Sequence, residues 1–257
     1  MIVRVLGAHT LESRSTRHTC FLIDGVLALD AGSLCSALTP KEQLGVAAVL
    51  LTHRHYDHVR DLPTLGLATR DQGQPVDVYS LPETLEEVFG RLMDGTLYPD
   101  FTRSADGPRG PKYRPHPVRP GEAFPVRGYW VLPVEVFHGP PAVGYVVTDP
   151  RGRSFAYTGD LGLGLLPFCQ AAPDLLAVDI SFPNRMVRWA EDSGHLTPAL
   201  LRDELAIARE RGYPVPPVIA VHMNRHLPKK IEAELRQVAE ELGVEILIGR
   251  EDQTFDL

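Results

Sequence analysis

The stretch "THRHYDH" places His53, His55, Asp57 and His58 within six residues, immediately after the apolar run "VAAVLLT". Imidazole nitrogens and carboxylate oxygens are the donors that zinc and neighbouring divalent metals prefer. Two histidines at i and i+2 on a strand end point to one side and can share an ion. Asp57 and His58, beyond a turn, can face a second ion. Four such donors directly after a buried strand point to metal chemistry.

Further donors recur at equivalent places. His138 follows "LPVEVF", Asp160 follows "SFAYTG", and His222 follows "PVIAV". A lone histidine or aspartate at a strand end is usually a satisfied turn residue. Several at the C-terminal tips of strands in one sheet edge converge on a common cleft. A different histidine, His195, sits in "SGHLTP", two residues before a helix start with Thr197 as N-cap and Pro198 at the first helical position. A helix start presents free N–H groups and favours phosphate. A histidine there can bind a phosphate oxygen or protonate a leaving alkoxide.

The elements that position these residues are legible in outline. "MIVRVLG", "TCFLID" and "VLALD" read as strands, the last two joined at "DG". "VAAVLLT" and "LLAVDI" are apolar runs of strand length, as expected for strands buried on both faces. A helix is predicted at "ETLEEVFGRLM", with Leu85, Val88, Phe89 and Leu92 on one face. Strands are expected at "YWVLPVEVF", "VGYVVTD", "SFAYT" and "PVIAV". Two helices follow, one with Leu201, Leu205 and Ala208 in its stripe, the other with Ile231, Leu235, Val238 and Leu242. The short strand "VEILI" is expected to close the chain. The pattern is α/β, layered sheets with helices outside, in one domain over 1–257.

Residues 95–127 are rich in Pro, Gly and Arg and read as one long irregular excursion, a lid-like loop. Arg103, Arg109, Lys112, Arg114 and Arg119 could hold a phosphate or an RNA backbone. The chain has 257 residues and a formal net charge of −7, which argues against extended nucleic-acid binding. Cys20, Cys35 and Cys169 are odd in number and form no CxxC pair, so reduced thiols are expected. No signal segment or membrane span is visible, which predicts a cytoplasmic protein without a membrane partner.

The order Asp30, HxHxDH, His138, Asp160, His222 resembles the metallo-β-lactamase fold over nearly the whole chain. The resemblance implies an αββα four-layer sandwich with two metals between the sheets. By it, His53, His55 and His138 hold one ion, Asp57, His58 and His222 the other, and Asp160 bridges them. Asp30 orients a ligand histidine. A flavodiiron-type site would carry Glu at position 55, and a B1 β-lactamase a Cys at position 160; the set here is of the general hydrolase type. The ions expected are zinc, with manganese or iron able to share the ligands, and a hydroxide bridging them would be the nucleophile.

Within that superfamily, "SFPN…SGHLTP…L…EL", "LALDAGSLCSAL", "LLTHRHYDHVRDLP", "LYPDF" and "AVHMNRHLPKKIEAEL" resemble the class II cyclic-nucleotide phosphodiesterases, a sister branch to ribonuclease Z. "LYPDF" carries Tyr98 where the branch has Trp. This likeness implies hydrolysis of a 3′,5′-cyclic-AMP-like or similar small phosphodiester, with His195 and Asp57 catalytic and Asn184, Thr197 and His226 as substrate contacts. By analogy it also implies a homodimer. A ribonuclease Z-like nuclease, or a lactonase or thioesterase on the same scaffold, are the alternatives. His9, His18 and His116 are expected to be loop or surface residues.

Overall fold

The computed structural model describes residues 1–103 and 110–257. Its strands form two seven-stranded sheets. In chain order they are β1 (Ile2–Gly7), β2 (Cys20–Ile23), β3 (Leu27–Leu29), β4 (Ala48–Leu50), β5 (Val76–Ser80), β6 (Tyr113–Pro117), β7 (Phe124–Val126), β8 (Tyr129–Val136), β9 (Ala142–Thr148), β10 (Ser154–Tyr157), β11 (Leu175–Asp179), β12 (Val218–Val221), β13 (Ile246–Ile248) and β14 (Thr254–Asp256). The first sheet runs β14-β1-β2-β3-β4-β5-β6 and the second β13-β12-β11-β10-β9-β8-β7.

Side chains alternate between the faces of a strand, and here both faces are apolar. Leu27 and Leu29 join the core between the sheets, while Ala28 faces the outer helices. Leu175 and Ala177 face inward in the same way, with Leu176 and Val178 turned to the opposite helical layer. Such strands read as unbroken hydrophobic runs, which is why "VLALD" and "LLAVDI" stand out in the sequence. Helices cover both outer faces. Pro198–Glu210 and Pro228–Leu242 lie on the second sheet through Leu201, Leu205, Ile231 and Leu235. The result is the four-layer αββα sandwich that the resemblance implies.

Parallel pairing joins β3 through β6, and β10 through β13. Their C-terminal ends therefore open at one edge, where ligand sites of parallel sheets form. A main-chain bond ties the sheets there, Val143 N–H donating to the Thr52 carbonyl at 3.0 Å.

Three differences from the sequence reading have physical causes. The segment 95–127 is not irregular throughout, because β6 and β7 extend the outer edges of the two sheets. Pro is tolerated on such edges, so the Pro-rich composition hid them. Its described cations face neighbouring carboxylates or carbonyls: Arg103 pairs with Asp100, Arg114 with Asp77 and Arg119 with Glu122, and Lys112 donates to the Gln74 carbonyl. Arg109 lies outside the described residues. The chain closes on β14 rather than on "VEILI", with β14 pairing antiparallel to β1 in the other sheet. The helices at Tyr56–Val59 and Val187–Ser193 were too short to give a periodic signal. No helix among the described residues is long and apolar enough to cross a membrane.

Phe21 packs against Phe155 and Tyr157 across the inter-sheet core, with ring centroids 5.2 and 5.0 Å away. Phe21→Ala is expected to lower unfolding free energy by about 3–5 kcal/mol in urea titrations, since the rigid sheets cannot close the void. A loss below about 1 kcal/mol would show that this contact does not hold the sheets together.

Candidate metal centre

Each donor lies just beyond a strand at the shared edge. His53 and His55 follow β4, His138 follows β8, Asp160 follows β10 and His222 follows β12. Asp57 and His58 lie on the short helix Tyr56–Val59, for which His55 is the N-terminal flanking residue. Asp30 and His222 adopt φ of +59°, a left-handed conformation that turns each side chain back into the edge. Gly159, at φ +64°, lets the β10 end approach Thr52; a Cβ there would sit 2.7 Å from the Thr52 Cβ.

The donor atoms form three groups, each with members within 4.8 Å of one another. One holds His53, His55, His138 and Asp160; a second holds Asp57, His58 and His222; the third joins Asp160, Asp179, His195 and His222. Asp160 divides its oxygens between the first two. Its Oδ2 lies 3.6 Å from both His53 Nε2 and His138 Nε2, and its Oδ1 lies 3.3 Å from His58 Nε2 and 3.4 Å from His222 Nε2. Asp57 Oδ2 is 3.2 Å from His222 Nε2, and His55 Nδ1 is 3.3 Å from His138 Nε2. Ligands about 2.0–2.1 Å from a tetrahedral ion stand roughly 3.3–3.4 Å apart, so these separations match one coordination shell.

Unsatisfied atoms support the same fit. His53 Nε2, His58 Nε2 and Asp160 Oδ1 are buried and have no hydrogen-bond partner among the described residues. A buried polar atom without a partner is costly, and a cation would satisfy all three. The donor set and the fold are those of a site for divalent metal.

The opposite ring nitrogens are anchored. His58 Nδ1 donates to Asp30 Oδ2 at 2.7 Å, and His53 Nδ1 lies 3.0 Å from Thr52 Oγ1, which donates to Asp30. In the second sheet His195 Nδ1 donates to Asp179 Oδ2 at 2.6 Å. His222 Nδ1 donates to Ser181 Oγ at 2.8 Å, and Ser181 donates to Asp179 Oδ1 at 2.7 Å. Each sheet thus offers one buried aspartate that holds one histidine directly and another through a hydroxyl. His138 Nδ1 donates to the Gly194 carbonyl at 2.9 Å. These bonds fix the tautomers so that Nε2 of His53, His58, His138 and His222 faces the centre.

Burial lowers the imidazoles of His53, His55 and His138, leaving them neutral and able to donate lone pairs. Burial would also lower His58, but Asp160, Asp57 and Asp30 outweigh it and hold the ring well above its ordinary value. His222 is likewise held up, to about 10, by Asp160, Asp179 and Asp57 against burial. Burial opposes ionisation of Asp160, yet His222 and His58 keep it well below the usual carboxylate range. The same negative field that retains protons on two histidines attracts a divalent cation in their place. His195 is raised too, because Asp179 overcomes the burial penalty.

The structure therefore brings His53, His55, Asp57, His58, His138, Asp160, His195 and His222 together, with Asp30 behind His58. Three expected substrate contacts fall elsewhere. Thr197 is fully buried, and its hydroxyl accepts from Leu200 N–H as a helix cap. Asn184 Oδ1 accepts from Ala199 N–H at 2.7 Å, so it braces the same helix start. His226 is exposed and belongs to none of the donor groups. His9 and His18 are half-buried rather than superficial, and His116 stacks on Tyr79 beside Asp77. The Cys35 thiol is packed, and burial pushes it up to about 12.

Asp179 and Ser181 were missed in the sequence. The signal was present: Asp179 ends "LLAVD" as Asp30 follows "VLAL".

The family described as Beta-lactamase superfamily domain matches residues 19–223. A 3′,5′-cyclic-nucleotide phosphodiesterase of Aliivibrio fischeri is 25% identical over 239 residues, covering 75% of this chain and 71% of that protein. Among solved structures, yeast PDE1 superposes with a TM-score of 0.82 at 19% identity, covering 100% of this chain and 99% of that one. The metallo-β-lactamase fold protein YhfI of Bacillus subtilis gives 0.77 at 18% identity, covering 99% of both chains. The short form of human tRNase Z gives 0.72 at 18%, covering 100% of this chain and 99% of that one. At these identities the structural likenesses establish the fold.

Ser181→Ala is expected to weaken metal affinity roughly 10–100-fold, because His222 loses its anchor. Competition against a chromogenic chelator measures this, with circular dichroism reporting an unchanged fold. Unaltered affinity would exclude the orienting role.

Proposed function

The chain belongs to the β-lactamase superfamily and is a metal-dependent hydrolase; from that premise we propose a binuclear phosphodiesterase acting on a 3′,5′-cyclic nucleotide or a similarly small phosphodiester. The observation that carries this reading is His195. It stands beside the metal donors, hydrogen-bonded to buried Asp179 and at the foot of the helix Pro198–Glu210.

His53, His55 and His138 would hold one ion, Asp57, His58 and His222 the other, with an oxygen of Asp160 to each. Zinc suits these ligands, and manganese or iron can share them. Divalent ions there supply activation of water and an electrophilic pull on substrate oxygens.

The chain's own groups do the rest. Asp179 accepts the Nδ1 proton of His195, which leaves Nε2 to meet the substrate. Its negative charge stabilises the imidazolium, so His195 carries a proton it can release. Opening a cyclic phosphodiester expels a ribose alkoxide, a poor leaving group that needs that proton. Hydrolysis of a thioester, which expels a thiolate, makes a weaker demand for one. Asp57, a quarter exposed where Asp160 is nearly buried, faces the open side of the cluster and is suited to position the attacking water. An acidic chain whose described loop cations face carboxylates or a main-chain carbonyl favours a small substrate over an RNA backbone.

The metal-replete protein is expected to hydrolyse 3′,5′-cyclic AMP and bis-p-nitrophenyl phosphate with Zn²⁺ or Mn²⁺. Turnover of lactones, thioesters or tRNA precursors with neither phosphodiester touched would overturn this reading. His195→Ala is expected to lower kcat on cyclic AMP roughly 10²–10⁴-fold with metal content intact. The same change should slow bis-p-nitrophenyl phosphate far less, because p-nitrophenolate departs without a proton. Equal losses on both would remove the acid role from His195.

A further inference from the structure

A cavity of about 520 Å³ adjoins the metal donors, with His138 and His195 in its wall. Its other side chains are Phe137, Leu163, Glu191 and Asp192. Phe137 is 70% exposed and Leu163 48%, large apolar groups left open to solvent beside a polar centre. Single exposed apolar residues are ordinary; two lining one cavity that opens on reacting groups call for a ligand. Glu191 and Asp192 are exposed, and among the described residues neither has an ion-pair or side-chain hydrogen-bond partner.

The cavity is coupled to the site through its backbone. Gly194, at φ +70°, ends the helix Val187–Ser193 that carries both acids, and its carbonyl accepts from His138 Nδ1. A Cβ on Gly194 would lie 3.0 Å from that same nitrogen, so a bare backbone is needed there. On the facing wall Gly162 N–H donates to the Phe137 carbonyl at 2.8 Å. Gly162 lies directly against Gly194, since a Cβ on it would sit 3.2 Å from the Gly194 Cα, so glycine backbone closes the cavity floor and leaves the Phe137 ring as its open face.

We infer that this cavity receives the nucleobase of the substrate, against Phe137 and Leu163, and that Glu191 and Asp192 select a base with adjacent N–H donors, guanine in preference to adenine. The inference rests on the phosphodiesterase reading above. The two acids repel phosphate and so keep the charged end of the substrate at the metal donors. A carboxylate has only acceptors. Guanine offers it N1–H and its 2-amino group side by side, whereas adenine offers one amino group next to the acceptor N1. The exposed aromatic face supplies stacking that any base can use.

The test compares kcat/KM for 3′,5′-cyclic GMP, 3′,5′-cyclic AMP and bis-p-nitrophenyl phosphate, which has no base. The wild-type protein should favour cyclic GMP over cyclic AMP by roughly tenfold or more. The double variant Glu191→Gln, Asp192→Asn should bring that ratio near one and leave bis-p-nitrophenyl phosphate unchanged. Phe137→Ala should raise KM for both nucleotides by a similar factor and leave the ratio between them unchanged. A ratio unmoved by the double variant, or equal changes on all three substrates, would overturn the inference. If no phosphodiester turns over, the phosphodiesterase reading fails separately. Equilibrium binding of guanosine and adenosine 5′-monophosphates to the metal-replete protein then decides the cavity. Tighter guanosine binding that the double variant abolishes would support it, and equal binding insensitive to that variant would refute it.

Discussion

An imidazole serves a metal best when its far nitrogen is held, because a free ring rotates and changes tautomer. For four histidines of this site that holding falls to two fully buried carboxylates, Asp30 and Asp179, one at the end of a central strand in each sheet. Asp30 fixes His58 directly and His53 through Thr52; Asp179 fixes His195 directly and His222 through Ser181. A buried carboxylate is expensive to desolvate, and the cost is offset by accepted bonds: Asp30 takes them from the Thr52 amide and hydroxyl and from His58, Asp179 from the Leu161 amide, Ser181 and His195. The rigidity of the centre is thus a by-product of satisfying two buried charges.

The sandwich makes that arrangement possible. Strands apolar on both faces lock the sheets against each other and against the helices, so strand ends are fixed in space to within a side chain's reach. Parallel order in the centre of each sheet puts those ends on one edge. Thr52 belongs to both requirements: its carbonyl takes a bond from β9 of the opposite sheet, while its amide and hydroxyl bind Asp30. The link between the sheets and the anchor for the histidines are one residue.

What the sequence made legible follows from the same physics. The buried strands were readable because both faces are apolar, and the donors because they sit at the strand tips as dense or repeated His and Asp. The edge strands β6 and β7 were hidden by proline, and β14 by its brevity and polar pattern "TFD". Asp30 and Asp179 occupy matching places, yet only the first was picked out, since a single aspartate after an apolar run carries no spacing that marks its partner. Thr197 was legible as a helix N-cap and is one, whereas the contact role for Thr197 and Asn184 came from the family likeness alone. Here both side chains serve the helix, and only the preceding histidine is left to face the cluster.

The segment 179–197 draws these threads together. It leaves β11 at Asp179, supplies Ser181 behind His222, turns through the helix Val187–Ser193, and returns at Gly194 and His195 to the metal donors. One stretch of chain therefore anchors a candidate ligand on one side through Ser181 and another on the other side through the Gly194 carbonyl. Between those two anchors it carries the acidic wall of the adjoining cavity, and directly after the second it carries the proposed acid. Any shift of the wall is transmitted to His138 through the Gly194 carbonyl and to His195 through the neighbouring peptide. The group that would read the base and the group that would protonate the leaving oxygen cannot move independently, so changes of substrate in such a site are expected to arise by replacing side chains on this helix rather than by moving its backbone.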